Sequence, residues 1–448
     1  MEWTDLVTDR SARGIAATIG RLISSGHLEV GERLPTVRTL AGELHVSPAT
    51  VAEAWQILLQ AGLIETRRRG GTMVRARTAV GRPSRFAQIH PENPPAAFDL
   101  STGAPDPTLL PDLNRALRSV DCSAAARSYF DPPLVAGLEE ALRTQWPYPP
   151  EALTILDGAL DALDRVFAAT LHLGDRVLVE STTFAPILDL LEEHGAEPVA
   201  VSLDTTGLDP QALRAAVASV QPRMLVLQPR AHNPTGAAMT AQRAAECAAV
   251  LQDTDILVVE DDHAGAISTA APASLGTHCP ERCVTVRSFS KSHGPDLRLA
   301  ALGGPREIVA RVNRRRVLGP IWSSRLLQLV LAQLLADPDT RGEVDRARQR
   351  YAERRQWLVT ALGEAGVTAS APDGFNVWVR VRDERHCMLH LAMRGVAVAP
   401  GSVFAANSDA STTEHIRVTC STLAVGTDSV AANIAEAAVA SGQPRNGW

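Results

Sequence analysis

Along residues 12 to 62 apolar positions return every three or four residues, whereas beyond residue 98 they gather into short unbroken runs separated by helix-length stretches. Ile15, Ile19, Leu22 and Ile23 predict a helix ending at Gly26, and Val37, Leu40, Ala41 and Leu44 predict a short second one after Pro35-Thr36. A third begins with Ser47 as N-cap and Pro48 at the first helical position, with Val46 placed to staple onto Val51, and buries Val51, Trp55, Leu58 and Leu59 as far as Gly62. Helices two and three, joined by Leu44-His45-Val46, describe a helix-turn-helix. The strands Leu63–Thr66 and Thr72–Val74 flank Arg67, Arg68 and Arg69 as a basic wing suited to phosphates.

The later runs, Val177–Val179, Met224–Leu227, Ile256–Val259 and Val284–Val286, are apolar on both alternating faces, as strands of a covered parallel sheet are. Three segments follow: a winged helix-turn-helix at 1–77, a linker at 78–97 stiffened by Pro83, Pro91, Pro94 and Pro95, and an α/β body at 98–448. Candidate site residues follow the strands: the aromatic Phe184 after the first, then the polar Asn233, Asp261, Ser288, Ser290 and Lys291. Ligands of open α/β sheets bind beyond the carboxyl ends of strands, so these segments are expected to share a crevice.

Charge supports the division, because residues 1–77 carry a balance of +2 and the remainder −8. No apolar run approaches the roughly 18 residues of a membrane span, and the acidic start Met1-Glu2-Trp3-Thr4-Asp5 lacks a cationic leader, so a cytoplasmic protein is expected. The six cysteines are scattered and read as free thiols. His278-Cys279 with Cys283 lacks a second ligand pair, and no metal is expected.

One lysine, Lys291, stands against 43 arginines. An ammonium can deprotonate to a nucleophilic amine while a guanidinium stays charged, so the lone lysine points to imine formation with an aldehyde. Pyridoxal 5′-phosphate (PLP) fits the neighbours. Lys291 would hold the aldehyde, Asp261 would keep the ring nitrogen protonated, Asn233 would donate to the ring hydroxyl oxygen and Phe184 would stack on the ring. Ser288, Ser290 and Arg298, with Gly158-Ala159 at a helix start, would bind the phosphate.

Gly31 to Ala41, Val46-Ser47-Pro48-Ala49-Thr50-Val51 and Gly70 to Val74 resemble the GntR family of winged-helix regulators, which implies DNA contacts by Arg38, Ser47 and Thr50. Pro48 stands where that family usually has arginine. Ser101 to Pro105, Tyr129-Phe130-Asp131-Pro132, Asn233 to Gly236, Asp261, Ser288 to Arg298 and His415 to Val418 resemble fold type I PLP enzymes of the aspartate aminotransferase superfamily. That likeness implies a mostly parallel central sheet with a small C-terminal α+β subdomain, a homodimer in which Tyr129 reaches the neighbouring subunit's phosphate, and an effector carboxylate held by Arg417 beside Gly103. His263 takes the place of a usual tyrosine near the ring hydroxyl, and Asp157 and Asp161 flank a phosphate segment that is usually hydroxylic.

The domain order resembles the MocR subfamily of GntR regulators, commonly head-to-tail dimers that bind PLP, and sometimes an amino compound, to set their DNA-binding state. Asn233 and Gly374-Phe375-Asn376-Val377-Trp378 look more like members linked to vitamin B6 salvage than to amine catabolism. Two other readings stand beside the regulator: an active aminotransferase with a DNA-binding appendage, and a cofactor-free dimerisation scaffold.

Overall fold

The first two helices of the chain cannot bury their apolar stripes alone, and the computed structural model shows how they do so together. It describes residues 6–24, 27–29, 31–60, 63–67, 71–74, 84–89, 96–124, 128–407 and 410–440, in two units, Met1–Arg82 and Pro83–Trp448.

In the first unit α1 (Ala12–Ser24), α2 (Val37–Leu44) and α3 (Pro48–Gln60) enclose Ile15, Ile19, Leu40, Val51 and Leu58. Each such side chain contributes about 1.5–3 kcal/mol on burial. Thr36 caps α2 through its side chain, and His45 leaves it in the left-handed region at φ 53°. That turn redirects the chain into α3, where Ser47 Oγ accepts from Thr50 N at 3.1 Å. The wing pairs β1 (Ile64–Arg67) with β2 (Gly71–Val74), and Arg33 bridges to Met73 on the other side of β2.

Within the stretch read as an extended linker, Ser84–Ile89 is instead a helix, α4, seated on the second unit. Those six residues hold no proline or glycine, and they find partners. Arg85 pairs with Asp189 at 3.0 Å and Glu192 at 2.7 Å, and Ile89 joins Ala185, Trp378, Val403 and Phe404 in a buried cluster. Pro91, Pro94 and Pro95 lie outside the described residues.

The body is built on a seven-stranded sheet. In chain order its strands are β3 (Ala152–Leu156), β4 (Arg176–Glu180), β5 (Glu197–Val201), β6 (Met224–Leu227), β7 (Leu257–Asp262), β8 (Cys283–Ser288) and β9 (Ala300–Gly304); in space they run β3-β9-β8-β7-β6-β4-β5. All neighbours are parallel except β9, which is antiparallel to both β8 and β3. Alternation divides the strands between two cores: Leu178, Leu225 and Val258 on one face, Val179, Val226 and Val259 on the other. Helices cover both faces, which is why these strands carry no polar stripe. The C-terminal subdomain has its own core under a four-stranded antiparallel sheet of β10 (Ala369–Ser370), β11 (Asn376–Arg380), β13 (His415–Thr419) and β12 (Ala399–Pro400), in that spatial order.

Candidate functional site

Because β4, β6, β7 and β8 run parallel, their carboxyl ends deliver Glu180, Gln228, Asp261 and Ser288 to one edge of the sheet. Asp261 is buried. Its Oδ2 accepts from Gln228 Nε2 at 2.7 Å, while Oδ1 has no partner among the described residues. Burial raises the carboxyl to about pKa 6, against the pull of Gln228 and Lys291. Beside it His263 lies with Nδ1 3.8 Å from Asp261 Oδ2 and unbonded, and burial together with Lys291 holds the imidazole well below its ordinary pKa.

Lys291 follows β8 with Nζ 5.2 Å from the centre of the Phe375 ring. Desolvation lowers its ammonium to about pKa 7; Asp261 opposes that shift and Arg417 reinforces it. A large fraction of the amine is therefore neutral, and nucleophilic, near pH 7.

Arg417, on β13, is almost fully buried. Its guanidinium donates to Asn233 Oδ1 at 3.0 Å and to the Ser101 carbonyl, and lies 5.0 Å from the Phe404 ring centre. Among the described residues no carboxylate forms an ion pair with it, and burial lowers it to about pKa 9 against the pull of Asp99. A buried cation without a directly bonded counter-ion is costly, so this position is set for an incoming anion. Gly103, at φ +63°, passes the guanidinium closely enough that a Cβ there would sit 3.5 Å from Nη1.

Asn233 opens a cis peptide to Pro234. Its backbone N donates to Gln228 Oε1 at 2.8 Å. Gln228 thus positions both Asp261 and Asn233, and its own N donates to Glu180 Oε2 at 3.1 Å. Nothing in its sequence context, a lone amide between Leu227 and Pro229, singled it out.

Gly158, at φ +109°, precedes α5 (Ala159–Thr170) with no side-chain cap, so the first amides of that helix are free to meet an anion. A Cβ on Gly158 would lie 2.7 Å from Arg298 Nη2. The acidic neighbours are engaged elsewhere: Asp161 accepts from Arg165 Nε and from Asp157 N, and Asp157 Oδ2 lies 3.9 Å from Arg316 Nη2. Ser288 Oγ accepts from Ser290 N at 3.3 Å. Phe184 is half-buried just before α6 (Ala185–Glu193). Tyr129 stands apart, 80% exposed, with its ring 6.3 Å from Trp322.

In the first unit Arg38 is exposed, while the side chains of Ser47 and Thr50 bond each other at 2.8 Å. The side chain of Arg67 and all of Arg68 and Arg69 lie outside the described residues.

Residues 96–437 match the family model of class I and II aminotransferases, and residues 11–74 that of bacterial regulatory proteins of the gntR family. The chain is 34% identical over 424 residues to the vitamin B6 salvage pathway transcriptional repressor PtsJ of Salmonella typhimurium, covering 93% of this chain and 96% of that one. It is 27% identical to the pyridoxine biosynthesis transcriptional regulator PdxR of Corynebacterium glutamicum, over 79% of each. A multiple substrate aminotransferase from Thermococcus profundus shares the fold at TM-score 0.70 and 19% identity, over 78% of this chain and 92% of that one. The chain belongs to the MocR-type regulators, transcription factors of the gntR family whose helix-turn-helix precedes a class I and II aminotransferase domain. The cofactor that this domain implies is PLP. The residues present fit it: a buried amine, an orphaned carboxylate oxygen for a ring N–H, and a glycine cradle under an arginine.

Proposed function

We propose that this regulator controls genes of vitamin B6 metabolism by sensing PLP at Lys291, from the cytoplasm and as a head-to-tail homodimer. The observation that carries the reading is Lys291 itself, the one lysine of the chain, desolvated and electrostatically coupled to Asp261 and Arg417. When bound, PLP supplies an electrophilic aldehyde carbon and an electron-withdrawing ring. Lys291 would offer a neutral amine to such a carbon. Asp261 would hold a proton on the ring nitrogen, with Gln228 keeping that carboxylate in place. Asn233 and His263 would serve the ring hydroxyl and Phe184 a ring face, and Gly158, Ala159, Ser288, Ser290 and Arg298 would hold the phosphate.

The exposed Tyr129 and Phe130, with Leu318 92% exposed, support a dimer whose partner covers this surface. Arg38, Ser47, Thr50 and the arginines at 67–69 contact the operator. Similarity to PtsJ and PdxR supports vitamin B6 genes as the target.

Titration of the full-length protein with promoter DNA from the B6 genes of its source, with and without PLP, tests the proposal. PLP is expected to change affinity within the range of about 5–150-fold typical of allosteric coupling, and Lys291→Ala to bind DNA without that response. The second reading, an active aminotransferase, draws on Arg417, whose unpaired guanidinium suits an amino-acid carboxylate. Rapid multiple turnover together with PLP-insensitive DNA binding would establish it instead.

A further inference from the structure

Behind the sheet edge, on the face opposite Asp261, two buried arginines share one carboxylate. Arg230 binds Asp262 side-on, with Nε to Oδ1 and Nη2 to Oδ2 both at 2.7 Å, while Arg287 Nε reaches Oδ2 at 3.3 Å. Arg287 also donates to the Gln145 carbonyl at 2.8 Å and lies 5.0 Å from the Trp146 ring centre. The nearest other carboxylate that Arg230 feels, Asp373, is engaged by Ser268 and Thr269 and is also felt by Arg355. At the cavity itself two guanidiniums share the one carboxylate of Asp262, leaving one positive charge in excess. Burial presses Arg287 below its ordinary pKa; Asp262 opposes that shift and Arg230 adds to it.

The arginines open onto a cavity of about 190 Å³. Ser292 and His293 also line it, Ser292 Oγ lying 2.8 Å from His293 Nδ1, and Phe289 and Leu335 form an apolar wall. Among the described residues Arg287 Nη2, Arg230 Nη1 and His293 Nε2 have no hydrogen-bond partner. The volume is below the roughly 300–1,000 Å³ of pockets for drug-sized ligands.

We propose that this cavity binds a small monocarboxylate, its carboxylate on Arg287 and Arg230 and its short hydrocarbon tail against Phe289 and Leu335. The site borders the PLP crevice, since Ser288 lines this cavity too, but its arginines bind Asp262, whose side chain faces the other side of the sheet from Asp261. One negative charge matches the single uncompensated positive one, and the apolar wall selects an organic acid over a fully solvated inorganic anion.

Isothermal titration of butyrate into the full-length, PLP-saturated Arg417→Gln protein tests this, because both anion-binding positions of the PLP crevice are then filled or removed. Saturable binding is expected, weakened by at least about tenfold, or 1.4 kcal/mol, in a further Arg287→Met variant. Ala266→Leu keeps both arginines but narrows the cavity they line, and it is expected to weaken butyrate by a similar factor without altering PLP absorbance. Absence of butyrate binding overturns the proposal, as does equal binding with Met at position 287 or in the Ala266→Leu protein. Inorganic phosphate binding as tightly as butyrate would overturn the choice of a monocarboxylate.

Discussion

Asp261 and Asp262 are neighbours on one strand, both buried, yet they sit in opposite electrostatic worlds because successive side chains point to opposite faces. Asp262 is gripped by two guanidiniums and is lowered to about pKa 2, with Arg230 as the main opponent of its desolvation. Asp261 has one amide donor and one orphaned oxygen, and is raised to about 6. On the first face the carboxylate is fully bonded and the guanidiniums have capacity to spare; on the second the carboxylate itself keeps an unmet oxygen, to be completed by a ligand.

The largest expected effect lies on that face. Lys291→Arg keeps the positive charge but removes the nucleophile, and visible absorbance on PLP addition is expected to vanish while circular dichroism stays unchanged. On the other face, Asp262→Ala strands two buried guanidiniums and should lower unfolding free energy by about 3–5 kcal/mol, as breaking a buried pair does; denaturant titration checks it. Asp261→Asn should do the reverse in the PLP-free protein. A carboxyl raised in the folded state contributes stability that is full below about pH 4 and lost as pH rises through about 6. The Asn variant lacks that loss, so it is expected to be more stable at pH 8 by about 1–3 kcal/mol, yet weaker for PLP. Equal destabilisation by both substitutions would erase the contrast. The smallest effect belongs to Arg85→Ala on α4, about 1 kcal/mol or less because its ion pairs are partly exposed.

Much of this was legible in the chain. Unbroken apolar runs of Val, Leu and Ile announced the covered parallel sheet, Ser47 and Pro48 announced the start of α3, and the single lysine pointed to the strand-end edge where Asp261 also lies. Asp261, Asn233, Lys291 and Arg417 come from segments up to 184 residues apart, yet the strand ends bring them together. What escaped depends on tertiary partners. Gln228 is an ordinary amide until Asp261 and Asn233 close on it. Phe375 lies under Lys291 only because the C-terminal subdomain folds back on the sheet edge. The helix at 84–89 is too short to hold itself, and needs Asp189, Glu192 and the cluster around Ile89. Arg230 and Arg287 read as two among 43 arginines until Asp262 joins them.

The seat of α4 has a mechanical consequence. Ile89 belongs to the same apolar cluster as Phe404, and the Arg417 guanidinium rests on that phenyl ring. Ile89 and the Arg417 guanidinium thus lean on one phenyl ring, so trimming Phe404 to alanine would undercut the seat of α4 and the support of the buried cation at a single stroke.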